Sequence, residues 1–222
     1  MITAEQKPIE EIWEMIAPYK RILALGCGSC MAECAAGGEK ETAMLASILH
    51  MKAKMNGEEV LIEEKTIDRQ CVKDFVIQLD DMIDQYDAIL SLGCGAGVQA
   101  VADMFPEVPV VPALNTEFIG ETKDQGYWVE SCVGCGDCML YHFAGVCPLS
   151  RCSKHLLNGP CGGSKNGKCE INPEVDCAWQ LIIDRLSKID ALDRIEKIYP
   201  PKDWSKKQGV GPRKIIREDQ QK

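Results

Sequence analysis

Eight of the thirteen cysteines in this chain fall between Tyr127 and Cys177, interleaved with seven glycines. No helical or strand period runs through that stretch, and so short a segment cannot bury much apolar surface by itself. Segments of this kind are stapled by disulfides or by metal. Two facts favour metal. Thirteen is odd, and thirteen in 222 residues, about 6%, is below the density of a disulfide scaffold. The opening residues Met1-Ile2-Thr3-Ala4-Glu5-Gln6-Lys7-Pro8 carry no apolar signal core, and no stretch reaches the length of a membrane span. The expectation is a cytoplasmic chain whose thiols stay reduced and serve as ligands.

Ahead of this segment the pattern changes to alternating strands and helices. Ile22–Leu25, Val60–Ile62, Ala88–Leu92 and Val108–Val111 read as strands. Glu39–Asn56, Cys71–Asp84 and Val98–Phe105 have helical spacing. Such alternation predicts an α/β fold with a doubly wound, mostly parallel four-stranded sheet in flavodoxin-like order, 2-1-3-4. The methionines of the helix Met44–Met55 are assigned to its buried side. The predicted organisation is an α/β domain over 1–126, a small cysteine-rich metal-binding domain over 127–188, and a helical, then extended, tail over 189–222. A helix is expected at Ala178–Leu186, with Trp179, Ile182, Ile183 and Leu186 inward. The net charge of −9 divides into −13 for the body and +4 for Lys202–Lys222. Without a global positive field, nucleic-acid and anionic-membrane binding are not expected, and the tail reads as solvated or draped on a partner. A full eight-fold α/β barrel, at about 250 residues, does not fit in this length.

The first and third parallel strands both end in Leu-Gly-Cys-Gly, at Leu25–Gly28 and Leu92–Gly95. In the predicted order these strands are neighbours, and a crevice opens at their carboxyl ends. Cys27, Cys30 and Cys34 would face Cys94 across it, a complete thiolate set for one [4Fe–4S] cluster. A zinc ion would take the same ligands. A nucleotide site is the other reading of Gly26-x-Gly28, but Met31 stands where the third glycine of that fingerprint belongs. Cys71 has no partner at metal spacing and is assigned as a small core residue of its helix.

Cys132, Cys135 and Cys138 form C-x2-C-x2-C, the opening of a bacterial ferredoxin, and Cys147 precedes Pro148. With Cys152, Cys161, Cys169 and Cys177 they make eight soft ligands, enough for two four-ligand sites, iron–sulfur or zinc. The ferredoxin precedent suggests one site from Cys132, Cys135, Cys138 and a distant fourth such as Cys177. Cys147, Cys152, Cys161 and Cys169 would then form the other. His142 and His155 read as surface or supporting groups. Glu33 and Asp137 read as turn residues, and Trp128 and Trp179 as core.

The run Leu157-Asn158-Gly159-Pro160-Cys161-Gly162-Gly163, then Gly167-Lys168-Cys169-Glu170 and Cys177-Ala178-Trp179, resembles the cysteine-rich domain found at the end of, or beside, bacterial methylenetetrahydrofolate reductases. With the Cys132 triad and Cys147-Pro148 the likeness covers roughly Tyr127 to Leu186. The first half is similar to the standalone iron–sulfur accessory subunit of that family. The resemblance implies two or three [4Fe–4S] clusters, with one zinc site in place of a cluster as an option, and no flavin on this chain. It implies a flavin-bearing barrel catalytic subunit as partner, and an electron donor such as ferredoxin or a pyridine-nucleotide-linked module. The residues agree with a relay: many soft ligands, three histidines and no nucleophile–base pair describe an electron-transfer subunit that is not an enzyme on its own. A zinc-stabilised scaffold of the same complex without redox role is the alternative.

Overall fold

The computed structural model describes residues 1–207 and 212–220; residues 208–211, 221 and 222 of the predicted tail lie outside the described residues. The chain divides into two compact units, Met1–Val129 and Glu130–Lys222.

In chain order the first unit contains β1 (Ile2–Gln6), α1 (Ile9–Ile16), β2 (Arg21–Cys27), α2 (Cys30–Glu33), α3 (Glu39–Asn56) and β3 (Leu61–Ile67). It continues with α4 (Lys73–Val76), β4 (Ala88–Ser91), α5 (Gly95–Met104), β5 (Val110–Pro112) and β6 (Leu114–Asp124), and β7 (Tyr127–Cys132) runs past its boundary. The parallel sheet has the order β3-β2-β4-β5, the predicted 2-1-3-4 arrangement. Its central strands are buried on both faces, with Ile22 to Leu25 and Ala88 to Leu90 fully inaccessible. This is why they read as continuous apolar runs rather than alternating ones. Helix α3 spans the predicted residues and closes at Gly57, whose φ of +71° suits a residue without Cβ.

Four features depart from the expectation. A second, antiparallel sheet of order β1-β6-β7 was not foreseen. Its strands mix polar and apolar residues without a long apolar run, and β6 and β7 turn at Gly126, φ +78°. The continuous helix expected over Cys71–Asp84 is broken: α4 gives way to 3-10 turns at Ile77–Leu79 and Ile83–Gln85. Val76, Leu79 and Ile83 keep the buried spacing, but the aspartates at 80, 81 and 84 are weak helix formers and the hydrogen-bond ladder does not run through. Met44, Met51 and Met55 lie on the exposed side of α3, because Thr42, Leu45, Ala46, Leu49 and Ala53 occupy the inward stripe. Cys71 is not a core residue. It is exposed in the turn before α4, and its neighbour Gln70 takes the fully buried position instead.

The second unit contains α6 (Pro148–Arg151) and α7 (Ala178–Lys188) among turns. It does possess a small core. Phe143, Trp179, Ile182, Leu186 and Tyr199 are buried together, with Phe143 edge-on to Trp179 and Tyr199 at 5.6 and 5.5 Å between ring centroids. Among the described residues no helix is long and apolar enough to cross a membrane.

Candidate metal centres

The amino-terminal thiols are placed by the parallel sheet. β2 and β4 pair with Leu25 opposite Ser91, and the Leu92 amide continues the ladder to the Leu25 carbonyl at 2.8 Å. Cys27 and Cys94 therefore leave the same edge of two adjacent strands. Cys30 opens α2, and Cys94 is the N-cap of the ten-residue α5, where the helix dipole favours a thiolate. Cys34 is brought near Cys30 one helical turn on, but its side chain is buried elsewhere. Its sulfur lies 4.0 Å from the Ala4 carbonyl of β1 and 3.7 Å from that of Met31, and burial pushes its thiol up.

A fifth thiol stands at this edge. Gln70 is fully buried, donates from Nε2 to the Leu25 carbonyl at 2.7 Å and accepts from the Ser91 hydroxyl at 2.5 Å. It thus clamps the ends of β2 and β4 from the turn that follows β3. A Cβ on Gly93 would meet Gln70 Oε1 at 2.5 Å, so the glycine of the second Leu-Gly-Cys-Gly is what admits the clamp. Cys71 comes next in sequence. Its thiol is pushed up first by loss of solvent and then by the neighbouring thiols of Cys94, Cys27 and Cys30. The sequence reading missed it because no Cys spacing points to it. The available signal was topological, since Cys71 follows β3, the parallel strand paired with β2, and residues just after such a strand reach the carboxyl end of the sheet.

The eight cysteines of the second unit fall into two groups of four. A cavity of about 230 Å³ is lined by Cys132, Cys135, Cys138 and Cys147, with Val133, Met139, Leu140, Pro148, Leu149 and Leu157 making it largely apolar. Gly134 and Gly136 have φ of +61° and +79°, and the Gly134 amide donates to Cys132 Sγ at 3.3 Å. A second, tight cavity of about 20 Å³ is lined by Cys152, Cys161, Cys169 and Cys177 beside Trp179. There the Gly163 amide donates to Cys161 Sγ at 3.4 Å, and Cys177 caps α7. The Ser153 hydroxyl, 3.4 Å from Cys169 Sγ, is the main group holding that thiol below its ordinary value, helped by backbone amides. The cavities group these cysteines differently from the ferredoxin precedent: Cys147 lines the one with the triad and Cys177 the other. Pro148 starts α6 directly after Cys147, which keeps that cysteine beside the triad, while α7 carries Cys177 to the other group.

The Asn-Gly-Pro-Cys-Gly-Gly run is fixed by local packing. Asn158 exchanges two 2.8 Å hydrogen bonds with the backbone of Tyr199, and Gly159 lies so close to the Trp179 indole that a Cβ would approach it to 2.4 Å. Trp179 is core, as expected, and also walls the second cavity. Trp128 is half-buried with its indole N–H unpartnered. His155 Nδ1 is 2.6 Å from the Leu149 carbonyl and His142 packs on Tyr199; neither lines a cysteine cavity.

The basic tail is not simply solvated. Lys202, with its side chain only 4% exposed, hydrogen-bonds the Asp137 carbonyl and lies 3.3 Å from its carboxylate, with Lys206 at 3.7 Å. Arg213 donates to the Lys206 and Gly134 carbonyls. Three cations of the tail thus gather on the C-x2-C-x2-C loop. Glu33 accepts from the Thr122 hydroxyl at 3.1 Å.

Among the described residues no three His, Cys, Asp or Glu side chains are already spaced to hold a metal ion. What the fold supplies is the gathering of soft ligands, with amide donors and helix N-termini behind them. These features define a two-unit, cysteine-rich α/β protein. Residues 111–205 match the family described as methylene-tetrahydrofolate reductase C terminal, which relates the second unit and the end of the first to methylenetetrahydrofolate reductases. No curated protein and no solved structure matches the chain.

Proposed function

We propose that the chain is an electron-transfer subunit of a methylenetetrahydrofolate reductase complex, passing electrons through iron–sulfur clusters to the flavin of a separate catalytic subunit. The observation that carries this reading is the cavity ringed by Cys132, Cys135, Cys138 and Cys147. A single water needs roughly 10–15 Å³ of such space. At about 230 Å³ this cavity has room for a group of many atoms, and its four thiolates are the ligand set of a [4Fe–4S] cluster. Bound there, a cluster would supply one-electron transfer. The chain's own residues exclude water with Val133, Leu140, Leu149 and Leu157, donate an amide to Cys132, and place the Lys202, Lys206 and Arg213 charges around the loop.

The second cavity favours a different occupant. At about 20 Å³ it suits one ion, and four cysteines at that size fit structural zinc. The zinc-scaffold alternative thus draws support from this site, and the redox reading from the larger one. The match over residues 111–205 supports the partner.

The decisive experiment is anaerobic co-expression with a flavin-bearing reductase barrel, followed by iron, sulfide and zinc analysis and stopped-flow reduction of the flavin. The expected result is a brown complex with iron, sulfide and about one zinc per chain, in which a low-potential ferredoxin reduces the flavin only when this chain is present. A colourless chain containing zinc alone would leave the scaffold reading standing and sink the relay.

A further inference from the structure

We propose that Cys27, Cys30, Cys71 and Cys94 are the four ligands of a cluster at the carboxyl edge of the parallel sheet, and that Cys34 is not a ligand. This rests on the reading that the amino-terminal unit carries an iron–sulfur cluster, and it assigns the ligand set within that reading.

The sequence alone favours Cys34, because Cys27-x2-Cys30-x3-Cys34 looks like a ligand run. The fold argues otherwise. Three turns converge at one edge of the sheet: the turn after β2 with Cys27 and Cys30, the turn after β4 with Cys94, and the turn after β3 with Cys71. The third turn is locked to the other two. Gln70 bonds the Leu25 carbonyl and the Ser91 hydroxyl, and the Gly28 amide donates to the Ile67 carbonyl at 2.8 Å. Cys27 Sγ in turn lies 3.9 Å from the Asp68 carbonyl of the same turn. Cys71 is held next to this clamp and is exposed enough to accept a cluster.

Cys34 is turned toward β1. It is buried, its sulfur faces the Ala4 and Met31 carbonyls, and it lines a different cavity of about 530 Å³ alongside Thr3 to Gln6 of β1. A ligating sulfur must be an anion, and a buried anion facing two carbonyl oxygens would be repelled by both. As a thiol, Cys34 instead donates weakly to them and packs as a small apolar residue.

The test uses the full chain purified anaerobically with its cofactors. Iron and acid-labile sulfide are measured per chain, together with the electron paramagnetic resonance spectrum after dithionite reduction, in Cys71→Ser, Cys94→Ser and Cys34→Ala. Replacing Cys71 or Cys94 is expected to remove one cluster's worth of iron and sulfide, or to shift that cluster's signal if the serine oxygen takes over as ligand. Cys34→Ala is expected to keep the parent's iron, sulfide and spectrum. Far-UV circular dichroism and a thermal melt on each variant separate ligand loss from misfolding. Loss of iron or a shifted signal in a folded Cys34→Ala overturns the assignment, as does an unchanged Cys71→Ser. A parent chain lacking acid-labile sulfide would instead overturn the cluster reading itself, before any variant is compared.

Discussion

The two units hold their cysteines in opposite ways. In the first, a sheet buried on both faces and flanked by helices exists independently of the thiols, and Cys27, Cys30, Cys71 and Cys94 are carried on the turns that leave it. In the second, eight cysteines sit between short turns, and the core is one patch around Phe143, Trp179, Ile182 and Tyr199. The first unit presents its thiols from a sheet with its own core, whereas the second has only a small core between its cysteine loops, and is expected to depend on what those thiols bind. The largest expected effect follows. Stripping metal by acid and chelator should leave the first unit folded and collapse the second, since a structural four-thiolate zinc alone contributes about 10–16 kcal/mol at neutral pH. Limited proteolysis checks this. Cleavage confined to the region beyond Glu130 after stripping supports the contrast, and loss of both units together breaks it.

Core truncation should sharpen the same contrast from the other side. Leu23→Ala removes a fully buried side chain from the central strand and should cost about 2–5 kcal/mol in urea denaturation of the first unit. The cost should be the same with metal bound or removed. Phe143→Ala, of similar intrinsic size, should have a measurable cost only in the metal-loaded protein, because the stripped second unit has no packing left to lose. Gln70→Ala is the smaller, site-directed version. It leaves the buried Ser91 hydroxyl proton without its acceptor and takes one of two donors from the Leu25 carbonyl, which keeps the Leu92 amide, at about 1–3 kcal/mol. It should also free the Cys71 turn, read as faster alkylation of Cys71 in the unloaded chain.

How much of this was legible in the sequence follows the same division. The parallel sheet and its order were readable because fully buried strands write themselves as apolar runs, and α3 because its stripe repeats at helical spacing and ends in Asn56-Gly57. The antiparallel sheet was not. Residues Leu114–Asp124 are mostly exposed, so their register is written in backbone hydrogen bonds rather than in side-chain pattern. The eight carboxy-terminal cysteines stand out by their spacing, but how they divide between the two cavities depends on where α6 and α7 carry Cys147 and Cys177. Cys71 was missed for a related reason. Sequence spacing detects ligands that share a loop, and Cys71 reaches its neighbours only through the pairing of β3 with β2.

The smallest expected effect concerns the tail on the larger cavity. Asp137 is held below the ordinary carboxylate range by the hydrogen bond and charge of Lys202, with Lys206 adding to it. A lowered carboxyl stabilises the folded form at pH above its ordinary value, and that contribution is lost as pH falls through the lowered one. The tail contact should therefore be intact at neutral pH and loosen only in acid, seen as increased proteolysis after Lys202. At neutral pH, Lys202→Gln removes a positive charge held beside Asp137, between Cys135 and Cys138. The reduced state of a cluster there carries one more negative charge than the oxidised state, so losing the cation penalises reduction. The midpoint potential of the signal assigned to this site should move to more negative values. The signal lost on replacing Cys27, Cys71 or Cys94 should stay where it is. A shift of both signals, or of the second alone, would mean that the tail cations act on more than the loop they touch.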